Sequence, residues 1–125
     1  MNVPQDLRYT KEHEWVRLDG DVATVGITDF AQGELGDIVF VEVETVGETL
    51  DADEVFGTIE AVKTVSDMFL PVAGEILEFN ESIEEDPEVV NQEPYGKGWI
   101  VKVKVSDPEA VQSLMTADAY AELIG

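Results

Sequence analysis

The chain of 125 residues contains no cysteine, a single histidine and only seven lysine and arginine residues. Without cysteine it can form no disulfide, thiolate nucleophile or cysteine metal site. One histidine cannot make a zinc site without further ligands, and no serine is placed to suggest a catalytic triad. No apolar run is long enough to cross a bilayer, and the N-terminal segment lacks the basic and apolar regions of a signal peptide. We therefore expect a soluble, cytoplasmic protein.

Acidic residues are abundant by contrast. Twenty-eight aspartate and glutamate residues give a formal net charge of −21. A surface of this sign repels phosphate backbones and anionic lipids, which argues against nucleic-acid and membrane partners. Self-repulsion of this size is relieved in molar salt, where the Debye length is about 3 Å, so we hypothesise a halophilic source. The alternative is an acidic protein that keeps its stability in dilute buffer.

The pattern of apolar residues predicts about six short strands and a helical tail in one domain, residues 1–125. Asp19-Gly20 between two strand-like runs is a strong hairpin signal. In the strand at 38–44, the alternation places Val39, Val41 and Val43 on one face. Further predicted elements are a helical turn from Thr28 to Gly36, strands at 75–79 and 99–105, a one-turn helix at 87–91, and a helical tail at about 107–124. These elements indicate a mainly β fold, a β-sandwich or flattened barrel with a C-terminal helix.

A second hairpin, at about 55–73, presents Lys63. Before the lysine, every second residue is apolar or glycine: Val55, Gly57, Ile59 and Ala61. The same alternation follows the lysine at Met68, Leu70 and Val72. The polar stretch 63–67 is predicted to form the turn. A lysine on such a turn is accessible to a modifying enzyme.

Other candidate sites are weaker. His13 stands between Glu12 and Glu14, whose charges favour the imidazolium, and we interpret it as a surface residue. The acidic run 51–54 is not a calcium loop, because Phe56 occupies the position that requires glycine. No phosphate-binding loop and no pair of catalytic groups is recognisable, so the sequence predicts a protein that is not an enzyme by itself and holds no metal.

The segment Glu60-Ala-Val-Lys63-Thr-Val-Ser66-Asp67, with Gly74 after it, resembles the lipoylation site of the glycine cleavage system H protein family. Four further blocks resemble that family in order, at 9–16, 26–32, 35–42 and 94–99. The chain departs from the family pattern at Ala61, Leu70, Phe30 and Glu34. The resemblance implies a fold of the biotinyl-lipoyl carrier type with the lysine at a hairpin tip.

The resemblance also implies a function. Lipoate would be attached by an amide to Lys63, with Glu60, Val62 and Ser66 as the context of the modification motif. The arm would carry an aminomethyl group from glycine decarboxylase (P protein) to aminomethyltransferase (T protein), and dihydrolipoamide dehydrogenase (L protein) would reoxidise it. A lipoate ligase or lipoyltransferase would attach the cofactor to a monomeric carrier. Glu14, Asp67 and Glu34 are candidates for a cleft that holds the arm.

Four alternatives are considered, and only the last is hard to exclude from the sequence. Biotin carriers have methionines on both sides of the lysine, where this chain has Val62 and Thr64. Lipoyl domains of 2-oxoacid dehydrogenases belong to a large catalytic chain. A non-modified acidic binding module would keep Lys63 free, and a lipoyl relay protein would share the motif but donate lipoate to other enzymes.

Overall fold

The computed structural model describes residues 2–125, in which nine strands form two antiparallel sheets and five short helices accompany them. The strands are β1 (Arg8–Tyr9), β2 (Glu14–Asp19), β3 (Val22–Ile27), β4 (Ile38–Glu42), β5 (Thr49–Leu50), β6 (Val55–Ala61), β7 (Val65–Phe69), β8 (Gly74–Phe79) and β9 (Val101–Val105). The helices are α1 (Asp29–Leu35), α2 (Ser82–Glu85), α3 (Val89–Gln92), α4 (Glu109–Gln112) and α5 (Ala117–Ile124). The mainly β class with a C-terminal helix is confirmed.

The larger sheet has the order β1-β2-β3-β9-β8-β5. A β2–β3 hairpin forms where predicted, but its two-residue loop is Gly20-Asp21 rather than Asp19-Gly20, because Asp19 still pairs with Val22. Gly20 has a φ of 67°. In β9 the alternation also holds, because Val101, Val103 and Val105 are buried while Lys104 faces solvent. These buried valines contribute to the main hydrophobic core, which includes residues of both sheets. The two sheets therefore pack as a sandwich.

The smaller sheet has the order β4-β6-β7 and presents the lysine hairpin. A bulge between Ile38 and Phe40 shifts the register of β4 against β6. As a result Ile38 and Val41 are buried, whereas Val39 is 44% exposed. The prediction that Val39 shares a face with Val41 is therefore wrong. An extra residue at the bulge breaks the regular alternation of side chains between the two faces of the strand.

A similar irregularity lies in β6, between Val55 and Gly57. Phe56 consequently points into the core and Val55 out of it, while Ile59 and Ala61 are buried as predicted. The turn is also shorter than the predicted 63–67, since β7 already begins at Val65. Paired strands thus run to within two residues of Lys63 on both sides.

The ends of the chain form a second cluster of buried residues beside the main core. Tyr9 and Met115 form an isolated antiparallel bridge with two backbone hydrogen bonds of 2.9 Å. The side chains of Tyr9 and Tyr120 stack with ring centroids 4.8 Å apart. The N-terminal lead-in, which showed few structural signals, is thereby fixed against the C-terminal helices.

Smaller differences concern the loops. The polar connection before the lysine hairpin contains β5, and the acidic loop after β8 contains α2. The one-turn helix predicted at 87–91 is observed as α3, and the helical tail is interrupted between α4 and α5. Within residues 2–125, no helix has the length and apolar character required to span a membrane.

Candidate functional site

Lys63 stands at the tip of the β6–β7 hairpin, and its side chain is exposed. The backbone N–H of Ala61 donates to the Thr64 carbonyl at 2.7 Å, which closes a tight turn around the lysine. The N–H of Val62 donates to the Asp37 carbonyl at 3.1 Å and fixes the turn to the connection between α1 and β4. The main chain at Lys63 is therefore held while its side chain is left free.

The Lys63 side chain lies beside Gly36, which ends α1 with a φ of 82°. A Cβ atom at Gly36 would stand only 3.5 Å from the Lys63 Cε. Thr28 begins this helix, as predicted, by accepting the N–H of Ala31 at 3.1 Å. The short helix therefore leads directly to the lysine.

A cleft of about 250 Å³ lies between α1, the lysine hairpin and the N-terminal segment. Its apolar lining comes from strands and helix: Ile27, Phe30, Ala31, Leu35, Ile59 and Met68. Its acidic groups come from all three segments: Glu12, Glu14, Glu34 and Asp67. The three residues predicted to line an arm cleft, Glu14, Asp67 and Glu34, are thus brought together around one cavity.

Glu14 is the buried member of this group, with 2% of its surface exposed. One carboxylate oxygen accepts the Thr10 hydroxyl at 2.6 Å, and the other accepts the backbone N–H of Phe69 at 3.2 Å. Burial raises the pKa of Glu14 to about 7, and the two hydrogen bonds oppose this shift. At neutral pH this carboxyl group therefore exchanges readily between its charged and neutral forms.

Asp67 and Glu34 are both exposed and face the cleft from opposite sides. Asp67 comes from β7, four residues after the lysine, and Glu34 from the last turn of α1. β7 begins at Val65 and a strand rises about 3.3 Å per residue, so Asp67 lies about 7 Å along β7 from the end of the turn. The cleft is thus lined by α1 and β7, the elements on either side of the turn that carries Lys63, and by the buried Glu14.

The comparison with known proteins decides the family. A family model described as glycine cleavage H-protein matches residues 7–125. The glycine cleavage system H protein of Bacteroides thetaiotaomicron is 62% identical over 124 residues, covering 99% of this chain and 98% of that protein. That of Chlorobium limicola is 62% identical over 127 residues, covering 100% and 99%. The chain belongs to the glycine cleavage H-protein family.

The fold of this family member agrees with a solved structure. A glycine cleavage system H protein from Mycobacterium marinum superposes with a TM-score of 0.87 at 42% identity, covering 96% of this chain and 97% of that one. The chain is therefore a non-catalytic carrier, the lipoyl-bearing shuttle between the P, T and L proteins of glycine cleavage. The relatives come from Bacteroides, Chlorobium and Mycobacterium, and they give the halophilic hypothesis no support.

His13 lines the cleft of this H-protein family member, contrary to its interpretation as a plain surface residue. Its Nδ1 lies 2.8 Å from the Tyr120 hydroxyl, and its ring packs against Phe30 with centroids 4.8 Å apart. Partial burial lowers the pKa of His13, although Glu12 and Glu34 act in the opposite direction. The flanking Glu12 thus favours the imidazolium as expected, but loss of hydration outweighs it and the net direction of the pKa shift is downward.

Two further positioning residues could not be recognised from the sequence. Tyr120 also lies 2.7 Å from the Thr28 hydroxyl, which links the C-terminal helix to the start of α1. Asn91 donates to the carbonyl of Gly36 and accepts the N–H of Ile38, both at 2.9 Å. Both residues act on α1 from distant parts of the sequence, and neither lies in a motif.

Residues 2–125 contain no group of three or more histidine, cysteine, aspartate or glutamate side chains arranged to hold a metal ion. The acidic groups of the cleft are instead separated by apolar side chains. Such a cavity accepts a largely apolar chain with a cationic or hydrogen-bonding end.

Proposed function

We propose that Lys63 is the residue of this carrier that bears the lipoyl group. The observation that carries the proposal is the placement of Lys63 on a tight turn beside Gly36, the residue that follows Leu35 in the lining of the apolar, carboxylate-bearing cleft. When amide-linked there, the lipoyl group supplies a disulfide and dithiol pair that carries the aminomethyl unit from P protein to T protein and is reoxidised by L protein.

The residues fit such an arm on two grounds. Ile27, Ile59 and Met68 give the cleft an apolar floor that can pack against a hydrocarbon chain and dithiolane. Glu14 and Asp67 place carboxylates where the amino group of a loaded arm would need an ion pair. Glu34 adds a third carboxylate at the opposite wall. The chain has no cysteine thiol that could exchange with the arm.

Attachment requires an activated lipoyl donor, which a lipoate ligase or lipoyltransferase would supply. The neutral Nζ of Lys63 attacks the acyl carbonyl carbon, and a C–N bond forms. The bond to the leaving group breaks with its electron pair, and the nitrogen loses one further proton to give the amide. The positive charge of Lys63 is thereby removed.

The experiment is intact-mass analysis of the purified chain after incubation with lipoate ligase, ATP and lipoate. We expect one lipoyl group on the parent chain and none on the Lys63→Arg variant. A lipoyl group on Lys63→Arg would overturn the assignment. Exchange of labelled bicarbonate into glycine with P protein then tests function, and we expect it only with the lipoylated parent chain.

We further infer that the carrier works as a cytoplasmic monomer. Its net charge of −21 opposes association between copies. Light scattering after size-exclusion chromatography should give the mass of one chain, and a concentration-dependent dimer would contradict this inference. Cell fractionation should find the chain together with its partner enzymes.

A further inference from the structure

Exposed apolar side chains concentrate on the smaller sheet. Among residues 2–125, eight large apolar side chains are exposed, and five of them belong to that sheet or its turn: Val39, Phe40, Val55, Val62 and Val65. Val62 and Val65 are 75% and 62% exposed and flank Lys63 directly. A concentration of exposed apolar side chains commonly marks a site of protein–protein contact.

The strand register brings four of these side chains together. Phe40 pairs with Glu60, and Glu60 pairs with Val65, so the three lie side by side on adjacent strands about 4.8 Å apart. The bulge turns Val39 outward next to Phe40. We call Val39, Phe40, Val62 and Val65 the tip patch.

The tip patch has an acidic border. Glu60 lies within its row, between Phe40 and Val65, and is exposed. In the next row towards the base of the hairpin, Thr58 pairs with Glu42 on one side and with Asp67 on the other. A complementary surface therefore needs an apolar centre and basic side chains beside it.

The four side chains of the tip patch lie outside the cleft, although Asp67 of its acidic border also lines the cleft. None of its four residues lines the cavity, whereas Ile59 and Met68, on the opposite face of the same strands, do. The arm cleft therefore leaves the tip patch uncovered.

We propose that the tip patch is the docking surface for the enzyme that acylates Lys63, a partner with an apolar surface and a basic rim around the entrance to its active site. This inference rests on the proposed function of Lys63. An enzyme that reacts at Nζ must approach to within one lysine side chain of the turn, so its surface necessarily meets Val62 and Val65. A partner that acts on the distal end of the arm has no such requirement.

The test compares two triple variants that replace equally many exposed apolar side chains by threonine. The patch variant is Phe40→Thr, Val62→Thr and Val65→Thr. The control is Val46→Thr, Val55→Thr and Leu77→Thr, at positions that are 48%, 42% and 41% exposed and outside the tip patch. Circular dichroism and thermal unfolding establish that both variants are folded.

Initial rates of lipoylation are measured with lipoate ligase, ATP and lipoate over a range of carrier concentrations. We expect the KM for the patch variant to rise about tenfold while kcat changes little, since the interaction removed is one of docking rather than chemistry. The control variant should match the parent chain. Equal KM values for the patch variant and the parent would overturn the proposal.

Two further outcomes separate this inference from the assignment of Lys63. If the parent chain gains no lipoyl group at Lys63, the proposed function fails first. If both variants are lipoylated like the parent but only the fully lipoylated patch variant is slow in glycine–bicarbonate exchange, the occupant is P protein and the proposal is wrong.

Discussion

The carboxylate of Glu14, in the larger sheet, accepts the backbone N–H of Phe69, in the smaller sheet, at 3.2 Å. This bond joins the two sheets beside the cleft, which Glu14 lines. A buried carboxyl group therefore fixes the position of the lysine hairpin relative to the N-terminal segment. The protonation of one residue is thus linked both to the stability of the fold and to the charge of the cleft.

Glu14 should make stability depend on pH. Its pKa is 4.5 in an unfolded chain and about 7 in the folded protein, so the folded state binds more protons between these values. Stability should therefore fall as pH rises from about 4.5 to above 7, by about 3 kcal/mol from this residue. The Glu14→Gln variant should lose this component, and its free energy of unfolding should exceed that of the parent increasingly from pH 5 to pH 8. Parallel urea-denaturation profiles would contradict the prediction.

The cleft carboxylates should retain a loaded arm. In the double variant Glu14→Gln and Asp67→Asn, we expect the aminomethyl group to be lost about fivefold faster, because the ammonium loses two charged acceptors. Decay is followed by mass spectrometry after loading with P protein. The matched control is Glu122→Gln with Asp21→Asn, two exposed acids outside the cleft. An unchanged decay rate would remove Glu14 and Asp67 from this role.

The hydroxyl group of Tyr120 should stabilise the fold and position the His13 ring beside the cleft. The Tyr120→Phe variant keeps the stacking on Tyr9 but removes the hydrogen bonds to His13 and Thr28. We expect a loss of about 1–3 kcal/mol in the free energy of unfolding, since a buried partner is left unsatisfied. Shifts of the His13 ring resonances in NMR spectra should accompany it. Unmoved resonances would show that the hydroxyl does not position the ring.

Gly74 should be intolerant of any side chain. A Cβ atom there would approach the Lys104 carbonyl oxygen and the Val103 side chain to 2.4 and 2.7 Å. Because the first is a backbone atom in the paired strand, Gly74→Ala should cost more than about 2 kcal/mol. Gly33→Ala is the control, since α1 leaves open space around Gly33, and it should stabilise the chain by about 0.5–1 kcal/mol. Equal midpoints in thermal unfolding for the two variants would refute this explanation.

The net charge should make stability depend on salt. Screening shortens the range of repulsion among 28 acidic side chains, so the midpoint of thermal unfolding should rise from low to molar potassium chloride. A midpoint that does not rise would remove the physical basis of the halophilic hypothesis. Sodium sulfate at matched ionic strength separates screening from the general effect of salt on burial.

The local sequence pattern was sufficient to predict the fold where apolar and polar residues alternate regularly along a strand, or where a turn requires glycine. The burial of Val101, Val103 and Val105 was predicted correctly from period two alone. The first hairpin was also found from its glycine, although its loop lies one residue later than predicted. Val39 and Val55 were assigned to the wrong face, because a bulge changes which residues face the core. The sequence of one strand does not show where the pairing with its neighbouring strand contains a bulge. The burial of His13 could not be predicted either, since it depends on Tyr120, 107 residues away.

The residues of the candidate site also differ in whether the local sequence could predict their positions. Lys63 and the neighbouring Asp67 lie on one local hairpin, where motif and alternation suffice to find them. The hydrogen bond between Glu14 and Phe69 spans 55 residues, and only the packing of the two sheets brings these groups together. Asn91 likewise has no motif, although it contacts the backbone on both sides of Asp37.

The pairing of Tyr9 with Met115 has a consequence for biosynthesis. The lysine hairpin closes between residues 55 and 69, so its strands can pair while the chain is still being translated. His13 obtains its partner only when Tyr120 has been added and the tail has folded back onto the start of the chain. A ribosome-bound chain can thus form the turn that carries Lys63 before the cleft beside it is complete.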